Sequence, residues 1–381
     1  YMPGYTYKNG GSVLDGNYII GTVPRGLPVT TLSWMEAKIF DAGFDFQLFG
    51  GKLSGSFDYF HRLLDGMSAR RNDVLIPAEM GFDLPYENLE SNVHTGFDGM
   101  LMWRHRIGEV NYHVGGNFTF ARMIDWERYK PRRGNSWDYF RNNINHRYSY
   151  LNWGLHSIGQ FQSWEEIAAY EIDNDRQGNR SLRPGDIKYE DVNGDKRIDG
   201  LDERVIGYRE GETPYMNFAL TLGAEWKGID LAADFTGAAY ASYTMDWEAR
   251  NPFHDGGNNP QYYMSDQWRL SDPSDANSTL IPGKYPTLIE GNGGHSNYWK
   301  SDFWTKNVSY LKLRNLELGY TLPKNWVSRA GISKLRIYTL MQNLFSLDNL
   351  DGVQIDPELS GGSGVQYPTN RVINVGVSLT F

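Results

Sequence analysis

The chain has 381 residues, 40% of them apolar and 22% charged, with no cysteine and a formal net charge of −9. The lack of cysteine excludes a disulfide scaffold, and the acidic balance argues against a nucleic-acid partner, which would want a basic face. A mean hydropathy of −0.55, with no apolar run near about 18 residues, excludes a membrane-spanning helix but not a β-barrel, whose lumen and loops are polar.

Residues 1–35 are turn-rich (Pro3-Gly4, Asn9-Gly10-Gly11, Pro24, Pro28) and show no sustained period, so they are read as a loop. Alternation begins near Ile39. Phe44, Phe46 and Leu48 oppose Asp45 and Gln47; after Phe49-Gly50-Gly51-Lys52, Leu53, Gly55, Phe57 and Tyr59 oppose Ser54, Ser56 and Asp58. That period of two, broken by a tight turn, is an antiparallel hairpin. A connection near 64–91 follows, where Pro77 and Pro85 forbid a central strand. The pattern returns at Phe97, Gly99, Leu101 and Trp103, then at Val110, Tyr112, Val114, Gly116, Phe118 and Phe120. A connection near 122–213 is far longer than usual, so it should carry function or its own structure.

A third hairpin has Met216, Phe218, Leu220, Leu222, Ala224 and Trp226 on one face, turns at Lys227-Gly228, and continues with Ile229, Leu231, Ala233 and Phe235. After a connection near 243–307, Leu311 and Leu313 are odd-numbered whereas Leu316, Leu318, Tyr320 and Leu322 are even. The face switches near Arg314-Asn315, as a bulge would make it do. Past Pro323, Leu335, Ile337, Thr339 and Met341 oppose Arg336, Tyr338 and Gln342, and a last long connection covers 346–369. In the final strand, Ile373, Val375, Val377, Leu379 and Phe381 oppose Asn374, Gly376, Ser378 and Thr380.

Short turns alternating with long loops are how an outer-membrane barrel is laid out, whereas a soluble sandwich mixes loop lengths at both ends. The expected fold is therefore all-β: about nine strands of a large antiparallel transmembrane β-barrel spanning 36–381, with residues 1–35 as an extracellular loop. The odd count, with the first strand running toward the short-turn side, would start Tyr1 in an outer loop. The expectation is the C-terminal part of something larger.

Several segments in order then resemble the C-terminal half of SusC-type TonB-dependent outer-membrane transporters. They are Phe161-Gln162-Ser163-Trp164-Glu165-Glu166-Ile167, the run 185–195 beginning Gly185-Asp186-Ile187 and ending Asn193-Gly194-Asp195, and Trp226-Lys227-Gly228-Ile229-Asp230-Leu231. Phe303-Trp304, the run 309–323, Leu335-Arg336-Ile337-Tyr338, Gln342-Asn343-Leu344-Phe345, Asp356-Pro357-Glu358 and Tyr367-Pro368 continue the match. The resemblance implies a barrel of about 22 strands in the outer membrane of a Gram-negative bacterium, filled by an N-terminal plug domain, energised by TonB and capped by a SusD-type lipoprotein. It implies active import of glycans or, as a lesser alternative, peptides. Other readings are a secreted β-rich glycan-binding or glycan-cleaving protein and a passive porin.

Two groups of residues are candidate sites. Asp191, Asn193, Asp195, the Arg197 carbonyl, Asp199 and Asp202 have the spacing of a calcium loop, since several hard oxygens suit a hard cation. The pattern departs at position six, where Lys196 replaces the usual glycine, and at twelve, where Asp202 replaces glutamate. The plainer reading is an Asx-rich surface turn. The second group is aromatic: Trp126, Trp137, Tyr139, Tyr148, Tyr150, Trp153, Trp247, Tyr262, Tyr263, Trp268, Tyr298 and Trp299, all in long connections. Such rings can stack on sugar faces or peptide side chains, or pack the loops against one another. No enzyme is expected. The eight histidines show no HxxxH or HxH spacing, no Gly-x-Ser-x-Gly elbow occurs, and the Gly291–Gly294 run lacks a βαβ setting for a phosphate.

Overall fold

The computed structural model describes residues 4–24, 27, 29–81, 83–130, 132–210, 213–251, 253–289, 294–350, 353, 355–358, 366–367 and 369–381. Tyr1, Pro3, Pro28, Pro368 and residues 291–293 of the glycine-rich run lie outside them. Nine long strands carry the fold: β1 (Glu36–Leu48), β2 (Leu53–Arg70), β3 (Tyr86–Ile107), β4 (Val110–Glu127), β5 (Met216–Trp226), β6 (Ile229–Thr244), β7 (Thr305–Thr321), β8 (Lys334–Gln342) and β9 (Val372–Thr380). Their order in the sheet is their order in the chain. The chain divides into two compact units, one made of Tyr1–Phe44, Asp58–Phe97 and Ala121–Ser149, the other of Asp45–Phe57, Asp98–Phe120 and Tyr150–Phe381.

In the second unit the antiparallel register from β4 to β9 sorts side chains by face. One cross-strand row reads Val114, Leu222, Ala233, Leu316, Met341, Ile373. A row on the opposite face reads Asn111, Glu225, Asp230, Gly319, Tyr338, Gly376. The sheet is thus apolar on one side and polar on the other, as the alternation requires. The switch of face in β7 is a bulge: Asp234 pairs with Asn315 but Phe235 pairs with Leu313, leaving Arg314 as the extra residue. Gly376 lies under the Tyr338 ring, where an added Cβ would sit 2.5 Å from Cζ, so glycine is what lets the ring lie flat on β9.

The largest fully buried side chains of this unit belong mainly to the connections rather than to the sheet, with Trp304, Tyr189, Tyr263, Phe161 and Ile187 among them. Apolar residues of β9 stay open, Val375 being 78% exposed. A sheet whose apolar face meets no second layer has no core of its own, and the connections supply one.

In the first unit the structure corrects the reading of 1–35 as loop. Tyr5–Leu14 and Asn17–Pro24 pair as a hairpin, turning at Asp15-Gly16 with both φ positive. Asp-Gly is a strong two-residue hairpin signal, obscured here because polar, glycine and aromatic residues dilute the alternation around it. The strands also run further than expected: β2 reaches Arg70, β3 starts at Tyr86 and β4 reaches Glu127. Their far ends alternate weakly but are tied by polar contacts, with Arg128 donating to Glu90 at 2.5 Å and to Asp125 at 2.6 Å.

Candidate functional site

Three arrangements in the second unit bear on function, beginning with the polar face of the sheet. Arg336 on β8 donates to both oxygens of Asp230 on β6, and to Glu317 on β7 at 2.6 Å. Thr221 on β5 donates to Asp234 on β6 at 2.9 Å. These cross-strand contacts follow from the register, which sets the polar residues of neighbouring strands side by side. The face is charged and hydrogen-bonded, and suits water or a polar surface rather than a hydrophobic layer.

The long connections after β4 and β6 lock together around a buried polar knot. Asn297, fully buried, donates from Nδ2 to Asp186 at 2.6 Å and accepts from the Ile187 backbone at 2.9 Å. Asn174 repeats this logic, accepting from Tyr189 N–H and donating to the Ile187 carbonyl, both at 2.9 Å. The other Asp186 oxygen accepts from Arg183 N–H at 2.7 Å, and His295 Nε2 lies 3.7 Å from that same oxygen. Burial pushes the Asp186 carboxyl above its ordinary value, against the pull of Asn297 and His295. Around the knot, Tyr263 stacks on Trp304 and Tyr285. Sequence patterning missed Asn174, His295 and Asn297, because side-chain pairings across 13 to 114 residues of connection leave no local period. Asp186 lay inside a segment that carried the family resemblance.

The calcium-like loop is a set of carboxylates turned onto its own backbone. Asp191 accepts from Gly194 N–H and Lys196 N–H at 2.8 Å each, and Asp195 from Arg197 N–H at 2.9 Å. Asp199 accepts from Leu201 N–H at 2.7 Å; Asp202, fully buried, accepts from Val192 and Asp199 N–H at 2.9 Å each. Asn193 Nδ2 donates to Asp195. Lys196 does adopt the left-handed conformation that position six demands, with φ of 64°. Among the described residues, no three His, Cys, Asp or Glu side chains converge closely enough to hold a metal ion.

The aromatic candidates separate by burial. Trp153, Tyr263, Trp268 and Tyr298 are buried, and Tyr262 and Trp299 pack against the same core, which is the loop-packing role. Burial also pushes the Tyr298 hydroxyl up to about 12. Tyr150 and Trp247 remain exposed in the second unit, with Arg209 over the first ring at 4.2 Å and His254 at 4.8 Å from the second. In the first unit Trp126, Tyr139 and Tyr148 are exposed and Trp137 is half-buried, with Arg122 over Tyr148 at 3.4 Å.

No family model matches the chain. Against curated proteins it is 22% identical over 402 residues to TonB-dependent receptor P3 of Formosa agariphila, covering 97% of this chain and 36% of that protein. It is 23% identical over 360 residues to TonB-dependent receptor SusC of Bacteroides thetaiotaomicron, covering 92% of this chain and 32% of that protein. Among solved structures, a chain of the RagAB peptide importer in its open-open state matches with a TM-score of 0.66 and 21% identity, over 99% of this chain and 38% of that one. The chain is similar to SusC-type TonB-dependent receptors. The SusC-type likeness runs along almost the whole chain in sequence, and the RagAB likeness carries the fold, that of a barrel portion. The chain spans little more than a third of the length of the first relatives it matches.

Proposed function

We propose that this chain is part of the wall of an outer-membrane, TonB-dependent importer of the SusC type. Residues 36–381 form the barrel portion in this reading, with the long connections on the outside, a plug domain against the polar face and a SusD-type lipoprotein over the loops. The observation that carries it is the nine-strand meander, whose faces from β4 to β9 are apolar on one side and charged on the other. Transport rather than enzymatic turnover is the proposed role, and the relatives are named receptors and an importer.

The proposed cargo is a glycan, with the exposed aromatics of each unit as candidate contacts: in the first, Trp126 at the end of β4 and Tyr139 and Tyr148 in the connection after it; in the second, Tyr150 and Trp247. A peptide cargo is the second reading, favoured by the likeness to the RagAB peptide importer. The test is uptake of labelled oligosaccharides and oligopeptides by cells with and without the intact protein. TonB- and proton-gradient-dependent uptake of one class is the expected result. Uptake that persists without TonB would mean a passive porin. Recovery of the protein from cells without detergent would mean a secreted β-rich protein.

A further inference from the structure

Within the first unit, the connection between β2 and β3 borders a cavity of about 570 Å³. Arg70, Arg71, Asn72, Asp83 and Arg132 line it together with apolar residues, among them Leu75, whose side chain is open to solvent. That volume lies within the range of about 300–1,000 Å³ common for ligand pockets.

The charges around it do not cancel. Arg70 donates to Asp83 at 2.7 Å, and Arg71 donates to both oxygens of Asp73 at 3.2 Å. Lys130 shares the same Asp73 at 3.3 Å, so one carboxylate serves two cations. The Arg71 contact is the main reason Asp73 is held well below the ordinary carboxylate range, which keeps it ionised. Arg132 has no acid of its own: its Nε donates to the backbone carbonyl of Asn72, a neutral acceptor. Among the described residues, its two terminal amino groups have no partner. The described residues that line the cavity hold three cations (Arg70, Arg71, Arg132) and one carboxylate (Asp83), an excess of two positive charges in the lining. The chain as a whole carries −9.

The guanidinium groups are also held in place. Arg70 lies over the Tyr86 ring at 4.9 Å and Arg71 over the Tyr129 ring at 5.6 Å, while the Asn72 carbonyl orients Arg132. A planar guanidinium fork matches the paired oxygens of sulfate, phosphate or carboxylate, and pre-ordering it lowers the entropic cost of binding. We infer that this cavity binds an oxyanion (sulfate, phosphate ester or carboxylate) carried on a soluble organic body, with Arg132 as the principal anchor. Leu75 offers that body an apolar contact. The site stands whether or not the protein transports what it binds.

The experiment is calorimetric titration of the intact protein in neutral detergent with sodium sulfate and sodium phosphate, against sodium chloride at matched ionic strength. Saturable sulfate or phosphate binding beyond the chloride control is expected. Arg132→Gln should weaken it at least tenfold, Arg132→Lys by less, and Asp83→Asn should tighten it severalfold by releasing Arg70. Heat-modified migration on gels identifies any variant that fails to fold; if Arg132→Gln fails, the opposite shifts expected of Arg132→Lys and Asp83→Asn carry the test. Heats equal to the chloride control, or affinities unchanged by folded variants, would overturn the proposal. So would binding that appears only with phosphatidylglycerol mixed micelles, which would assign the cavity to lipid.

Discussion

Lys312 shows how much one residue decides here. It sits on β7 almost fully buried, and its ammonium reaches Asp356 at 2.5 Å and Glu358 at 2.9 Å. Arg314, the bulge residue, adds a contact to Glu358. Two carboxylates 44 and 46 residues away are thereby tied to the sheet. Lys312→Ala should cost about 3–5 kcal/mol, because it leaves the buried Asp356 carboxylate without its cation, whereas Glu358 keeps Arg314. Thermal unfolding and limited proteolysis of the 343–371 connection would measure it; a loss under about 1 kcal/mol would show the pair to be solvated. Burial alone would raise the Asp356 carboxyl, but hydrogen bonds from Lys312 and Thr369 hold it below its ordinary value. A lowered folded-state value means stability that is present above the ordinary aspartate range and lost as pH falls through the lowered one. Protease cleavage in this connection should therefore rise on acidification and be nearly independent of pH in Asp356→Asn. The pairing was not legible in sequence: Asp356-Pro357-Glu358 and the run 309–323 with Lys312 both stood out only by resemblance, with nothing to join them.

At the scale of elements, period-two alternation made the sheet strands legible, and even the bulge at Arg314 showed as an odd-to-even shift of leucines. Strand ends were not legible, because beyond the apolar band both faces turn polar and the alternation fades. Neither was the packing of Trp153, Tyr263, Trp268 and Tyr298 inside the loops, since burial on turns and on elements of only three to five residues shows no period. The Asp191–Asp202 loop lies between these cases. Its donor spacing was visible, and its Lys196 takes the needed left-handed turn, yet its carboxylates already accept backbone N–H groups. We propose that it binds calcium weakly or not at all. Lys196→Gly, which removes strain at a positive φ, should tighten any binding, and Asp191→Ala should abolish it. Calorimetry without calcium-dependent heat in the wild type and in Lys196→Gly would leave the loop a purely structural turn. On β5 the two faces allow a sharper comparison. Leu220 belongs to the apolar rows and Thr221 to the polar ones, hydrogen-bonded to Asp234. Leu220→Lys should destabilise by about 2–4 kcal/mol if the residue sits near a bilayer midplane. Thr221→Lys should be mild, since the new ammonium finds Asp234 beside it. Equal losses in a lipid-folding assay would sink the barrel reading.

For the whole molecule the decisive feature is the pair of outer strands. Among the described residues β1 pairs only with β2, and β9 only with β8, so the sheet has two edges with unused backbone donors and acceptors. In water such edges invite association, and in a hydrocarbon layer each unsatisfied group costs several kcal/mol. The apolar face adds to the problem: Ile373, Val375, Val377 and Leu379 on β9 are all exposed, as are Phe40 and Phe44 on β1. An open sheet of this kind is stable in a membrane only if further strands pair with both edges, which is the arrangement that a portion of a closed barrel would have. Residues 1–381 expressed alone should therefore aggregate or fail to insert into lipid vesicles. The same residues supplied with strands that complete the sheet should give heat-modifiable, protease-resistant protein. A monodisperse, heat-resistant barrel formed by residues 1–381 without any other chain would show that β1 and β9 close on each other, and the proposal of a partial wall would have to be given up.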